Sequence, residues 1–80
     1  MQVQLIEGRF QREDALDLIT QMIQVKIRFH EARIDKSHSE EDISARETKI
    51  KKLQKELFEL RKNIDKQSKQ VKMNAVISFD

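Results

Sequence analysis

The chain has 80 residues, a single glycine, no proline and no cysteine, and charged and hydrophobic residues each make up 38% of it. Its length predicts one small domain over residues 1–80, and the missing cysteines exclude disulfide scaffolds and thiolate metal sites. No run of about 18 apolar residues occurs, and the start lacks the basic and apolar regions of a secretory signal, so we expect a cytoplasmic protein without membrane contact.

Both ends of the chain show the alternating pattern of a β-strand. In residues 2–10, Val3 and Leu5 alternate with Gln2 and Gln4, and Gly8 indicates a bulge or a close backbone approach. In residues 71–79 the alternation is cleaner, with apolar side chains at Val71, Met73, Ala75, Ile77 and Phe79. We therefore predict short strands over 2–10 and 71–79.

Residues 12–35 carry two adjacent apolar rows at helical spacing. The first row is Ala15, Leu18, Met22, Val25, Phe29 and Ala32, and the second is Leu16, Ile19, Ile23, Ile27 and Ile34. At about 100° per residue, the two rows cover an arc of roughly 220°, which is wider than one partner helix covers. This first helix is therefore expected to touch at least two neighbours.

A turn at 35–39 precedes a second predicted helix over 40–69. Ser39, followed three residues later by Asp42, is typical of a helix N-cap. Apolar residues then follow a heptad pattern, with Ile43, Ile50, Leu57, Ile64 and Val71 at a positions and Leu53 and Leu60 at d positions. Phe58 lies away from this row and is a candidate contact for a partner.

A short turn between two long helices makes them antiparallel, which brings both strands to the same end of the hairpin. The predicted fold is mainly α, a coiled-coil-like two-helix hairpin flanked by strands in the order β-α-α-β. An isolated two-stranded ribbon and a single helix–helix contact are both marginal in water. We therefore predict a homo-oligomer, most simply a dimer, completed through the first helix and the strands.

Enzymatic chemistry has little support in this sequence. A chain with one glycine has no phosphate-binding or nucleophile-elbow motif, and His30 and His38 lack a second ligand at metal spacing. We expect no catalytic residues, no cofactor and no metal site.

Three cationic residues, Lys26, His30 and Arg33, project from the apolar arc of the first helix. Because an unpaired buried charge is costly, they must reach solvent or find partners. We favour an interface edge with ion pairs to acids of the second helix or of a partner chain. The alternative is a small anion pocket where subunits meet.

The second helix carries a basic face. Its members are Lys52, Lys55, Lys62, Lys66 and Lys69. Such a face suits the phosphate backbone of a nucleic acid. A solvated helix face is the favoured interpretation, because no stacking aromatics interleave with these lysines and the net charge is only +2.

One resemblance adds to these patterns. Its residues are Ile6-x-Gly8-x-Phe10, Ala15, Leu18-Ile19 and Lys26-Ile27-x-Phe29-His30. This set resembles a group of small uncharacterised bacterial proteins of similar length, mainly over residues 6–30. The resemblance implies a strand, helical hairpin, strand layout and implies no activity.

The sequence thus predicts a non-enzymatic structural or protein-interaction module whose partner is a second copy of the chain, with another protein as a further candidate partner. The alternatives are a nucleic-acid-associated accessory protein, which uses the basic face, and a small-anion binder at a subunit interface.

Overall fold

The computed structural model describes residues 1–64, 66 and 69–80. Its elements are β1 (Gln2–Gln11), α1 (Arg12–Lys36), α2 (Glu40–Ile64) and β2 (Gln70–Ser78). The predicted order of strand, helix, helix, strand is confirmed, as is the mainly helical content. The Cα atoms fill a flat body of 46 × 33 × 13 Å.

The two strands form an antiparallel ribbon that runs from the Gln11–Gln70 pair to the Gln2–Ser78 pair. The pairing register shifts between Gln4 and Ile6, which makes Leu5 the bulged residue. Gly8 is not the bulge, and no atom lies within 4 Å of where its Cβ would be; its φ of +129° is the feature that favours glycine.

Helix α1 follows β1 directly, and the Arg12 amide donates a hydrogen bond to the Lys69 carbonyl, 2.8 Å away. This bond joins the start of α1 to the start of β2. At the other end of the hairpin, the Asp42 amide donates to Ser39 Oγ over 3.3 Å. Ser39 is therefore the N-cap of α2, as its sequence predicts.

Helix α2 ends at Ile64, earlier than the predicted end at residue 69. Residues 65, 67 and 68, which fell inside that prediction, lie outside the described residues. Lys66 lies in a turn, where its amide donates to the Asn63 carbonyl, and Val71 belongs to β2 rather than to the heptad row. Val71 follows Ile64 by seven residues, which matches the heptad spacing, but it is apolar because of the alternation within β2. The match to the helical pattern is therefore a coincidence.

The apolar core of the described residues is small. Ala15, Leu53 and Ile64 are its buried side chains. Helix α1 contacts α2 and both strands, which confirms that it has more than one neighbour. A folded 9.5 kDa monomer exposes about 5,000 Å², whereas this chain exposes 6607 Å². The flat shape leaves apolar surface of α1 and of the ribbon uncovered.

Candidate functional site: the outer face of α1 and the basic face of α2

The first helix presents an apolar row to solvent, which we call the outer row: Leu18, Met22, Val25, Phe29 and Ala32. Leu18 is half-buried, whereas Val25 and Phe29 are 56% and 53% exposed and Met22 is 36% exposed. At 100° per residue the outer row points about 150° away from the side of α1 that faces α2. One side chain of α2 reaches the row, where the Arg46 guanidinium lies 6.0 Å from the centre of the Phe29 ring. Val25 and Phe29 nevertheless keep more than half of their surface exposed.

Beside the outer row, α1 and the ribbon diverge and leave a cleft of about 440 Å³. Its lining is mostly apolar, from Ile6, Ile19, Met22, Ile23, Met73 and Ala75, with Lys26, Lys72 and Asn74 added. Met22 belongs to both the cleft and the outer row. The two features therefore form one continuous apolar surface along α1.

His30 lies on the side of α1 that faces α2. Its Nδ1 atom is 3.1 Å from Arg46 Nη1, and Arg46 Nε lies 3.3 Å from Asp42 Oδ2. Because a guanidinium group only donates hydrogen bonds, Nδ1 accepts and carries no proton. Asp42, Arg46 and His30 thus form a chain of hydrogen bonds that joins the first two turns of α2 to α1, near the turn end of the hairpin.

The charges around this chain shift two pKa values. Desolvation lowers the pKa of His30, and the positive charges of Arg46, Lys49 and Lys26 lower it further. Hydrogen bonding from Ser37 lowers the pKa of Asp42, and Arg46 adds to the effect. Both shifts favour the forms seen in the hydrogen-bond chain, a neutral imidazole and an ionised carboxylate.

The three cationic residues predicted as a cluster have different neighbours. Lys26 lines the cleft, His30 bonds to Arg46, and the Arg33 guanidinium lies 5.2 Å from the centre of the Phe29 ring. In this part of the chain the partner of His30 is a basic residue, whereas an acid of the second helix was expected. The anion pocket at a subunit interface remains a prediction.

Sequence reasoning missed the role of Arg46. It occupies a d position of the heptad pattern, where a charged residue interrupts the apolar row, and Asp42 lies four residues before it. A charged residue at a core position of the heptad, with an acid one turn before it, is the signal that could have predicted a hydrogen-bond donor between the two helices.

The basic face of α2 is shorter than predicted, because the helix ends before its last two members. Lys52, Lys55 and Lys62 are exposed on the helix, and Lys66 and Lys69 are exposed beyond it. Phe58 is 57% exposed, and Lys62 Nζ lies 4.7 Å from the centre of its ring. Three residues after Lys55 and four before Lys62, this ring shares their surface, so the expectation that no aromatic interleaves with the lysines is wrong.

Among residues 1–64, 66 and 69–80, no group of three or more His, Asp or Glu side chains is placed to hold a metal ion. Within the same residues, neither helix combines the length and the apolar character needed to cross a membrane.

Comparison with known proteins gives no match to a family model, to a curated protein or to a solved structure. The resemblance to small bacterial proteins over residues 6–30 therefore stays a prediction.

Proposed function

We propose that this protein is a non-enzymatic structural or protein-interaction module that works as a homodimer of β-α-α-β units. The observation that carries the proposal is the exposed area, 6607 Å² against about 5,000 Å² for a compact monomer of this mass. The excess of about 1,600 Å² per chain exceeds the roughly 800 Å² that each partner contributes to a standard interface.

The composition of the exposed surface supports the same proposal. Large apolar side chains from α1 and from the far end of the ribbon meet solvent, among them Phe29, Ile77 and Phe79. Large exposed apolar side chains that gather on one surface, as Met22, Val25 and Phe29 do along α1, mark an interaction site in soluble proteins. A second copy supplies a partner wherever the chain itself is made.

Sedimentation equilibrium over a range of protein concentrations tests the proposal. We expect a mass of about 19 kDa, twice that of the 9.5 kDa chain, at micromolar concentration. A mass of 9.5 kDa at every concentration up to the millimolar range would overturn the homodimer.

The Phe58 surface favours a second candidate, an accessory protein that binds single-stranded nucleic acid. An exposed ring between Lys55 and Lys62 combines a stacking platform with phosphate contacts, which is the usual pairing in such proteins. The test is the mobility of labelled single-stranded oligonucleotides at low salt, with Phe58→Ala and Lys62→Ala variants. No shift of the wild type under those conditions eliminates this candidate, because phosphate contacts are strongest at low salt.

A further inference from the structure

We infer that two copies of the chain pack through their α1 helices in antiparallel orientation, outer row against outer row. This inference rests on the proposed homodimer and names the surface that builds it. The occupant of the outer row is thus a second copy of the same helix.

The spacing of the outer row fits a helix partner. Leu18, Met22, Val25 and Phe29 alternate steps of four and three residues, which is the a/d pattern of a two-helix contact. The row has its middle between residues 23 and 24. When two such rows are related by a two-fold axis there, Met22 of one copy lies opposite Val25 of the second copy, and Leu18 lies opposite its Phe29. Each layer then combines a smaller side chain with a larger one.

Charge decides between the antiparallel and the parallel orientation. Residues 12–24 of α1 carry a net charge of −2, and residues 25–36 carry +2. An antiparallel pair places the acidic half of each helix beside the basic half of the other. A parallel pair places like charges together along the whole contact, which is destabilising.

One specific contact follows from this register. Arg28 lies on the same flank of the outer row as Asp17 and Gln21, and antiparallel packing brings a flank against its own copy. Arg28 then lies at the level of residue 19 of the second copy, between Asp17 and Gln21. Those two side chains already face each other, with Gln21 Nε2 donating to Asp17 Oδ2 over 3.0 Å. Their pairing leaves the second carboxylate oxygen of Asp17 for a guanidinium group.

The shape of the molecule is compatible with this contact. Most of the outer row is turned away from α2; Phe29, whose ring centre lies 6.0 Å from the Arg46 guanidinium, is still 53% exposed. The neighbouring cleft between α1 and the ribbon is open. A helix laid along the outer row also covers the mouth of the cleft at Met22. The contact would therefore bury the outer row and the part of the cleft next to Met22.

Disulfide trapping tests the register, because the natural chain contains no cysteine. The test uses a Leu18→Cys/Phe29→Cys double variant, with each single variant as a control. The two positions are about 16 Å apart along one helix, far beyond the Cα separation that a disulfide spans, so they cannot bridge within a chain. We expect a covalent dimer of the double variant on mild oxidation, and little from the single variants.

Charge reversal at exposed positions provides a second test that does not alter the apolar row. We expect Asp17→Arg and Arg28→Asp each to raise the dissociation constant about tenfold, and the double variant to return it to near the wild-type value. A wild-type dimer whose double-cysteine variant fails to cross-link, and whose double charge reversal gives no recovery, would overturn the α1 contact and leave the homodimer standing. Efficient cross-linking of Leu18→Cys alone would indicate a parallel pair and also overturn it. A monomeric wild type would overturn both.

Discussion

The hydrogen bond between His30 and Arg46 makes the stability of the helix pair depend on pH. The Nδ1 atom of His30 accepts from Arg46, so protonation of the ring would place two donors face to face, and the neighbouring lysines oppose the added charge. The pKa of His30 is therefore lower in the folded chain than its usual value of about 6.5 in an unfolded one. By linkage, the stability from this contact is fully present above that value and is lost as pH falls toward the folded pKa.

We predict that the melting temperature falls between about pH 7.5 and pH 5, and that the fall is smaller in a His30→Gln variant. The glutamine introduced there is a polar side chain that does not titrate. A His38→Gln variant, changed in the exposed turn, is the matched control and should follow the wild type. Coincident pH profiles for the wild type and His30→Gln would show that the Arg46 contact has no part in the pH response.

Gly8 places a different constraint on the ribbon. A φ of +129° lies in a region that L-residues with a side chain rarely adopt, although the space around Gly8 is open. We predict that Gly8→Ala lowers the free energy of unfolding by about 1–3 kcal/mol. Urea unfolding beside a Glu7→Ala control measures the loss, and equal stability of the two variants would mean that the ribbon relaxes around residue 8.

For single residues, the sequence indicated which positions are unusual, but it did not predict the structural cause at each position. A glycine within a predicted strand is unusual, and Gly8 was identified on that ground. Its φ angle and the open space beside its Cα depend on the pairing register of the strands, which the bulge at Leu5 shifts. The cation at position 30 was expected to pair with an acid. Its partner is Arg46, because Asp42 neutralises that guanidinium from one turn away.

The elements divide the apolar surface unequally. Helix α2 buries Leu53 and Ile64 against the rest of the chain, whereas α1 contacts α2 and both strands and still exposes Val25 and Phe29. The width of the apolar arc was readable from the sequence, since it depends only on helical periodicity. The end of α2 was not, because it is set by where β2 must start in order to pair with β1.

Two exposed apolar side chains allow a matched test of which helix forms the interface of the proposed dimer. Val25 on α1 and Phe58 on α2 are 56% and 57% exposed. We predict that Val25→Glu raises the dissociation constant of the dimer at least about 100-fold, because two carboxylates would be desolvated at the centre of the contact.

Phe58→Glu serves as the control, with the same charge introduced at equal exposure, and should leave the dissociation constant within about threefold. Sedimentation velocity measures both variants. The reverse outcome, with Phe58→Glu dissociating the dimer and Val25→Glu leaving it intact, would move the interface from α1 to α2.

The whole molecule is flat, and the two-stranded ribbon does not pack closely against α1 along its length. Its strand–helix–helix–strand order followed from periodicity and from a short turn between long helices. The divergence of α1 from the ribbon did not, because it depends on the angle at which the chain leaves β1 directly into α1, without a connecting loop. That divergence is what leaves the cleft and the outer row uncovered in one copy.

The central claim is that two chains share one core, and the dependence of thermal unfolding on protein concentration tests it most directly. For a dimer that unfolds to two separate chains, mass action stabilises the folded form as concentration rises. With an unfolding enthalpy typical of about 160 residues, we predict that the midpoint rises by about 9 °C for each hundredfold increase in concentration. A midpoint that stays constant over that range would show that each chain folds on its own core, and would contradict the shared core of the dimer.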